Sequence, residues 1–88
     1  MTELKLYKFI TDRGLETSSY ENIRNEKVYL LFVNNAHIVE FHKLLSPSIF
    51  DDDGIECKMK DGYFAFDIGY ICEYYDVDIE EVFKGLRE

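Results

Sequence analysis

The side chains most capable of chemistry in this sequence are carboxylates, two cysteines, two histidines and seven tyrosines. Five acids, Glu73, Asp76, Asp78, Glu80 and Glu81, fall within nine residues, with no base among them. Tyr70, Tyr74 and Tyr75 stand beside them. A second dense patch joins Asp51, Asp52 and Asp53 to Glu56. Carboxylates at this density attract basic surfaces and repel phosphate backbones. Tyrosine mixed with carboxylates makes a competent protein-contact surface. The candidate partner-binding residues are therefore Glu73, Tyr74, Asp76, Asp78, Glu80 and Glu81, with Asp51, Asp52 and Asp53 as a second contact.

Other arrangements fall short of a reaction or a metal. His37 and His42 are five apart, which on a helix separates them by about 140°. Neither a His-Glu-x-x-His pattern nor paired cysteine spacing is present. Asp51-Asp52-Asp53-Gly54 resembles a fragment of a calcium loop, but Ile49 and Lys60 occupy positions where that loop needs oxygen ligands. Cys57, on an expected inward strand face, and Cys72, on an apolar helix, read as buried thiols of a reducing compartment. No Gly-rich phosphate loop, nucleophile elbow or oriented Cys–His pair appears. The expectation is a protein that is not an enzyme and needs neither cofactor nor metal.

The segment from Ile71 to Phe83 has the rhythm of a helix-turn-helix. A recognition helix, however, presents Arg, Lys, Asn or Gln to base edges and phosphates. Here the second helix opens with Asp78, Ile79, Glu80 and Glu81, so its first turn would meet phosphate with three carboxylates. Direct nucleic-acid binding is not expected.

Behind these residues stands a chain of 88 residues, with 18 acids against 10 bases and a formal net charge of −8. The first 44 residues are neutral, so the whole excess belongs to the second half, with twelve acids and four bases. A solvated acidic face that only confers solubility is the plainest explanation of it. Length allows one domain spanning 1–88 and a single modest core. A composition 47% hydrophobic and 16% aromatic favours a folded globule over an acidic disordered tail. The longest apolar run, Val28 to Val33, is too short to span a bilayer, and the residues after Met1 lack signal-peptide form. A cytoplasmic protein without membrane contact is expected.

The elements that position these groups follow from caps and periodicity. Thr2 is an acceptable N-cap and Gly14 a C-cap for a helix over 3–13, although Leu4, Leu6 and Ile10 also permit a strand. Residues 15–22 read as a polar edge strand, Asn22 to Asn25 as a turn, and 27–33 as a central strand apolar on both faces. The second apolar face of that strand needs covering, by a partner or by the rest of the chain. Asn34 or Asn35 is positioned to cap a helix over 36–45, ended by Ser46-Pro47, and Asp51 to Gly54 form a loop. Ile55, Cys57 and Met59 alternate as an inward face, with Glu56, Lys58 and Lys60 outward. Asp61-Gly62 then supplies a two-residue type I′ turn into a strand over 63–67. Asp67 caps a helix through Tyr75, and Asp78 with Glu81 resembles a capping box for a last helix through Leu86.

The stretch from Ser46 to Phe83, carrying Ser46-Pro47-Ser48-Ile49-Phe50, Lys60-Asp61-Gly62-Tyr63 and Ile71-Cys72-Glu73-Tyr74-Tyr75, resembles a group of small acidic bacterial proteins associated with mobile elements. The likeness covers less than half of the chain and carries no activity or site residue. It implies a bacterial cytoplasmic context and a role for or against a host system.

The resulting expectation is an α+β domain in the order α-ββ-α-ββ-αα. Its four-stranded antiparallel sheet comes from two β-hairpins, with helices on one face. Functionally, the charge asymmetry points to a protein-binding module acting on a basic or nucleic-acid-binding protein. A sharper version imitates nucleic acid. Duplex DNA carries a charge per about 1.7 Å, whereas the five acids span roughly 13 Å of helix at about 1.5 Å per residue. A third reading is a regulatory or structural module that forms a homodimer.

Overall fold

The computed structural model describes residues 2–51 and 55–87. The first hairpin leads a four-stranded antiparallel sheet in the order β1-β2-β4-β3, flanked by four α-helices. Its strands are β1 (Glu16–Glu21), β2 (Lys27–Asn34), β3 (Glu56–Lys58) and β4 (Tyr63–Asp67). The helices are α1 (Glu3–Arg13), α2 (Ile38–Leu44), α3 (Ile68–Tyr74) and α4 (Ile79–Arg87). The domain is therefore α+β in the expected order, with a 3₁₀ turn over Pro47–Asp51 between α2 and β3.

Residues 3–10 are helical because a cap and an apolar stripe cooperate. The Thr2 side chain accepts from the Lys5 N–H at 3.2 Å, which satisfies one of the free donors of the first turn. Leu6, Phe9 and Ile10 then fall on one buried face. Gly14, at φ 60°, closes the helix. The β1–β2 turn is held by Asn22, whose side-chain oxygen accepts from the N–H groups of Arg24 and Glu26 at 2.9 and 3.0 Å.

Burial along β2 alternates, with Tyr29, Leu31 and Val33 in the core. Their face is the one the helices cover. Phe41 of α2 lies against Phe9 of α1 and Phe66 of β4, with ring centroids 5.4 and 4.7 Å apart. Phe83 of α4 meets Tyr29 edge-on at 4.7 Å. Gly69 of α3 also backs onto Tyr29. At the crossing of α1 and α4, a Cβ on Gly85 would stand 3.0 Å from Tyr7 Cε2, so the absent side chain lets the two helices approach.

The second hairpin differs from its sequence reading by one residue. Lys58 pairs with Phe64 and Cys57 with Ala65, and the Met59 N–H donates to the Tyr63 carbonyl at 2.8 Å. The loop therefore contains Lys60, Asp61 and Gly62, three residues rather than two. Asp61 and Gly62 both have the positive φ of a type I′ turn, 67° and 76°. A shift of one residue exchanges the two faces of a strand. Glu56 and Lys58 consequently lie on the helix side with Phe66 and Phe64. Cys57 and Met59 point away with Ala65, contrary to the alternation expected from sequence, and Cys57 is exposed rather than buried.

Two helix starts also differ. The N-cap of α2 is His37, without a side-chain cap, so neither Asn34 nor Asn35 serves, and α2 begins later than expected. Those two residues instead shape the turn leaving β2: the Asn35 N–H donates to the Gly62 carbonyl and the His37 N–H to the Asn34 carbonyl, both at 3.0 Å. Asp78 does precede α4, but its carboxylate accepts from the Glu80 N–H at 3.0 Å. This cap falls one residue short of the capping-box position at Glu81.

Candidate protein-binding face

The α3–α4 junction is where the acidic run acquires a shape. Asp67 caps α3 by accepting from the Tyr70 N–H at 3.1 Å. The chain leaves α3 through Tyr75 and reverses at Asp76, whose φ is 57°. Asp tolerates this left-handed backbone, and Val77 then packs against the core. Glu73, Asp76, Asp78, Glu80 and Glu81 are all exposed. Among the described residues no ion pair involves any of these five. Glu80 is anchored differently, accepting a hydrogen bond from the Tyr29 phenol of the central strand.

The tyrosines tie α3 to the segment after α2. Tyr74 shares a hydrogen bond with the Ser48 hydroxyl at 2.8 Å. The Tyr75 phenol oxygen accepts from the Ser46 N–H. Their rings meet edge-on at 4.9 Å. Tyr74 thus has a fixed ring that remains 47% exposed beside Glu73.

Folding also recruits acids that charge counting along the chain does not group. A groove between the β1–β2 turn and α3 is lined by Glu26, Lys27, Asp67, Tyr70 and Glu73. Glu26 lies far from the C-terminal run in sequence, and the antiparallel pairing of β2 with β4 brings the β1–β2 turn beside Asp67 and the start of α3. On another side, Glu3 of α1 lies within electrostatic reach of Cys72, as does Asp78. Of the second predicted contact, Asp52 and Asp53 lie outside the described residues, as does the Asp51 side chain. The calcium-loop fragment falls in the same place.

The groups considered for chemistry have structural surroundings. Burial pushes the Cys72 thiol up to about 12, with Asp78 and Glu3 adding to the effect, so the nucleophilic thiolate is scarce at neutral pH. His42 Nε2 lies 3.2 Å from Glu56 Oε1, and its ring meets Phe50 edge-on at 5.0 Å. His37 Nδ1 and Asn34 Oδ1, at the turn leaving β2, are buried without a hydrogen-bond partner among the described residues. Among the described residues, no group of three or more His, Cys, Asp or Glu is arranged to hold a metal ion. None of the described helices is long and apolar enough to cross a membrane.

No family model matches this chain, and no curated protein or solved structure is significantly similar to it.

Proposed function

We propose that this is a non-enzymatic, cytoplasmic protein-binding module that captures a basic protein through its α3–α4 face. The observation that carries this reading is the exposed set Glu73, Asp76, Asp78 and Glu81, without ion pairs among the described residues and bordered by the Tyr74 ring. The adjoining groove gives the face a concave element. A Lys or Arg side chain entering between Glu26, Asp67 and Glu73 would meet carboxylates from two directions. Electrostatic complementarity of this kind contributes mainly to association rate and to choice of partner. The free thiols of Cys57 and Cys72 support the cytoplasmic location.

The test is capture from nuclease-treated bacterial lysate across a salt series. The wild type is compared with a variant carrying Glu73→Gln, Asp76→Asn, Asp78→Asn, Glu80→Gln and Glu81→Gln. These amides preserve shape, the acceptors of the Asp78 and Glu80 bonds, and a residue suited to the backbone at Asp76. A basic protein recovered at low salt by the wild type alone is the expected result. Recovery of the same protein by the variant would overturn the acidic-face reading.

A further inference from the structure

The sheet ends in β1 on one side and β3 on the other, and the two edges differ. β3 has three residues, whereas β1 has six, in one unbroken register with β2. Edge strands are commonly blunted by Lys, Pro or a bulge. Glu16-Thr17-Ser18-Ser19-Tyr20-Glu21 carries none of these. Hydrogen-bonded pairs alternate along an antiparallel ladder. The Asn22 N–H donates to the Glu26 carbonyl in the β1–β2 register, and across β2 the Asn35 N–H donates to the Gly62 carbonyl in the β2–β4 register. Both bonds fix the same phase, in which Glu16, Ser18 and Tyr20 direct their backbone groups at β2. Thr17, Ser19 and Glu21 direct theirs outward, where no described residue pairs with them.

A groove runs beside this edge, lined by Thr17, Ser18, Ser19, Phe83 and Leu86. Thr17 and Ser19 stand across from the buried Leu31 and Tyr29, so their side chains lie on the helix side, with α4. Phe83 and Leu86 are the apolar part of the lining.

We infer that the β1 edge binds an extended, basic segment of a partner protein as a fifth, antiparallel strand. Alternating outward N–H and C=O groups are matched by an extended backbone, which settles the shape of the occupant. Antiparallel addition continues the pairing of the whole sheet. Charge selects the chain. Glu16 and Glu21 are exposed at the two ends of β1, and the strand contains no base. Lys27, across from Glu21, makes no ion pair among the described residues; its Nζ lies 5.3 Å from the centroid of the Tyr29 ring. A second copy, carrying −8 like the first, is the wrong sign. Glu16 and Glu21 are an odd number of residues apart and point to opposite faces. The incoming strand therefore carries a base opposite each, with apolar side chains opposite Thr17 and Ser19, toward Phe83 and Leu86. This contact uses the sheet edge and does not require the α3–α4 carboxylates.

The test titrates an end-capped peptide, Lys-Thr-Val-Thr-Val-Lys, to about 1 mM into the isotope-labelled whole protein, followed amide by amide by NMR. The Thr17, Ser19 and Glu21 amides are expected to shift and to exchange more slowly, with shifts also at Phe83 and Leu86. N-methylating both valines removes donors that face β1 and weakens binding at least about tenfold; N-methylating the threonines, whose N–H groups face away, retains it. Replacing the terminal lysines by Glu, or Glu16 and Glu21 of the protein by Gln, weakens binding at least about tenfold at low salt. The five-amide variant of the α3–α4 face binds the peptide as the wild type does. Absence of binding, shifts confined to the α3–α4 face, or equal binding of the valine-methylated peptide overturns the proposal. Slower exchange of Thr17 and Ser19 with rising protein concentration, without peptide, assigns the edge to a second copy and overturns it too.

Discussion

The phenol of Tyr29, on the central strand, donates a hydrogen bond to a carboxylate oxygen of Glu80 on α4. The strand that organises the sheet thereby holds the first turn of the acidic helix. The Tyr29 ring is buried and meets Phe83 edge-on, so the bond forms where α4 docks. Tyr29→Phe keeps the ring and removes this donor. The expected cost is about 1 kcal/mol, the usual net value of one partly buried hydrogen bond. Glu80→Gln retains an acceptor oxygen and costs less. Urea unfolding with an unchanged m-value measures both.

Arg13 binds Glu40 Oε2 through two nitrogens, at 2.9 and 2.7 Å, while its guanidinium lies 4.0 Å above the Phe9 ring. The hydrogen bond and charge of Arg13 hold the Glu40 carboxyl below its ordinary value of 4.5. A carboxyl depressed in the folded state stabilises above its unfolded value, and that contribution disappears as pH falls through the lower folded value. The melting-temperature difference between wild type and Glu40→Gln is expected to be constant near neutrality. It shrinks as pH drops below about 4.5. A difference independent of pH would show that the ion pair does not couple to folding.

The two cysteines are chemically unequal. Cys57 stands exposed on the outward sheet face, whereas Cys72 is buried with its thiol pushed up to about 12. A thiol-reactive disulfide reagent at about pH 8 is expected to modify one cysteine in the native protein and both in denaturant. Cys57→Ser removes the native reaction. Two reactive thiols in the native state would contradict the placement of Cys72.

Gly62 occupies the left-handed region at φ 76°, and a Cβ there would stand 2.8 Å from Asn35 Nδ2. Gly62→Ala is expected to cost about 1–2 kcal/mol, through both backbone strain and displacement of Asn35. Asp61, at φ 67°, already carries a side chain tolerant of that region. Asp61→Asn should therefore change stability by less than about 0.5 kcal/mol. Thermal unfolding of the two variants measures the contrast.

Much of the architecture was legible because it is written locally. Thr2 and Gly14 bracket α1, Asn22 holds the first turn, and Asp67 caps α3, each through contacts only a few residues apart. The apolar run of β2 marked it as central, and it lies between β1 and β4. The second hairpin shows where local reading fails. Asp61-Gly62 correctly signalled positive backbone angles, but one additional loop residue exchanged the faces of β3. Alternating residue types show that a strand has two faces; pairing with β4 decides which face meets the helices.

The acidic surface divides in the same way. The sequence alone determined that the excess charge lies in the second half and that Glu73 to Glu81 form its densest run. Charge is a property of side chains and survives any fold. The tertiary structure decided that Glu26 joins Asp67 and Glu73 in lining one groove, that Tyr29 engages Glu80, and that Leu30, Phe32, Met59 and Tyr63 on the opposite sheet face stay part-exposed. Those relationships join segments distant in the chain. They depend on strand register and on the side where the helices pack, which local sequence patterns do not specify.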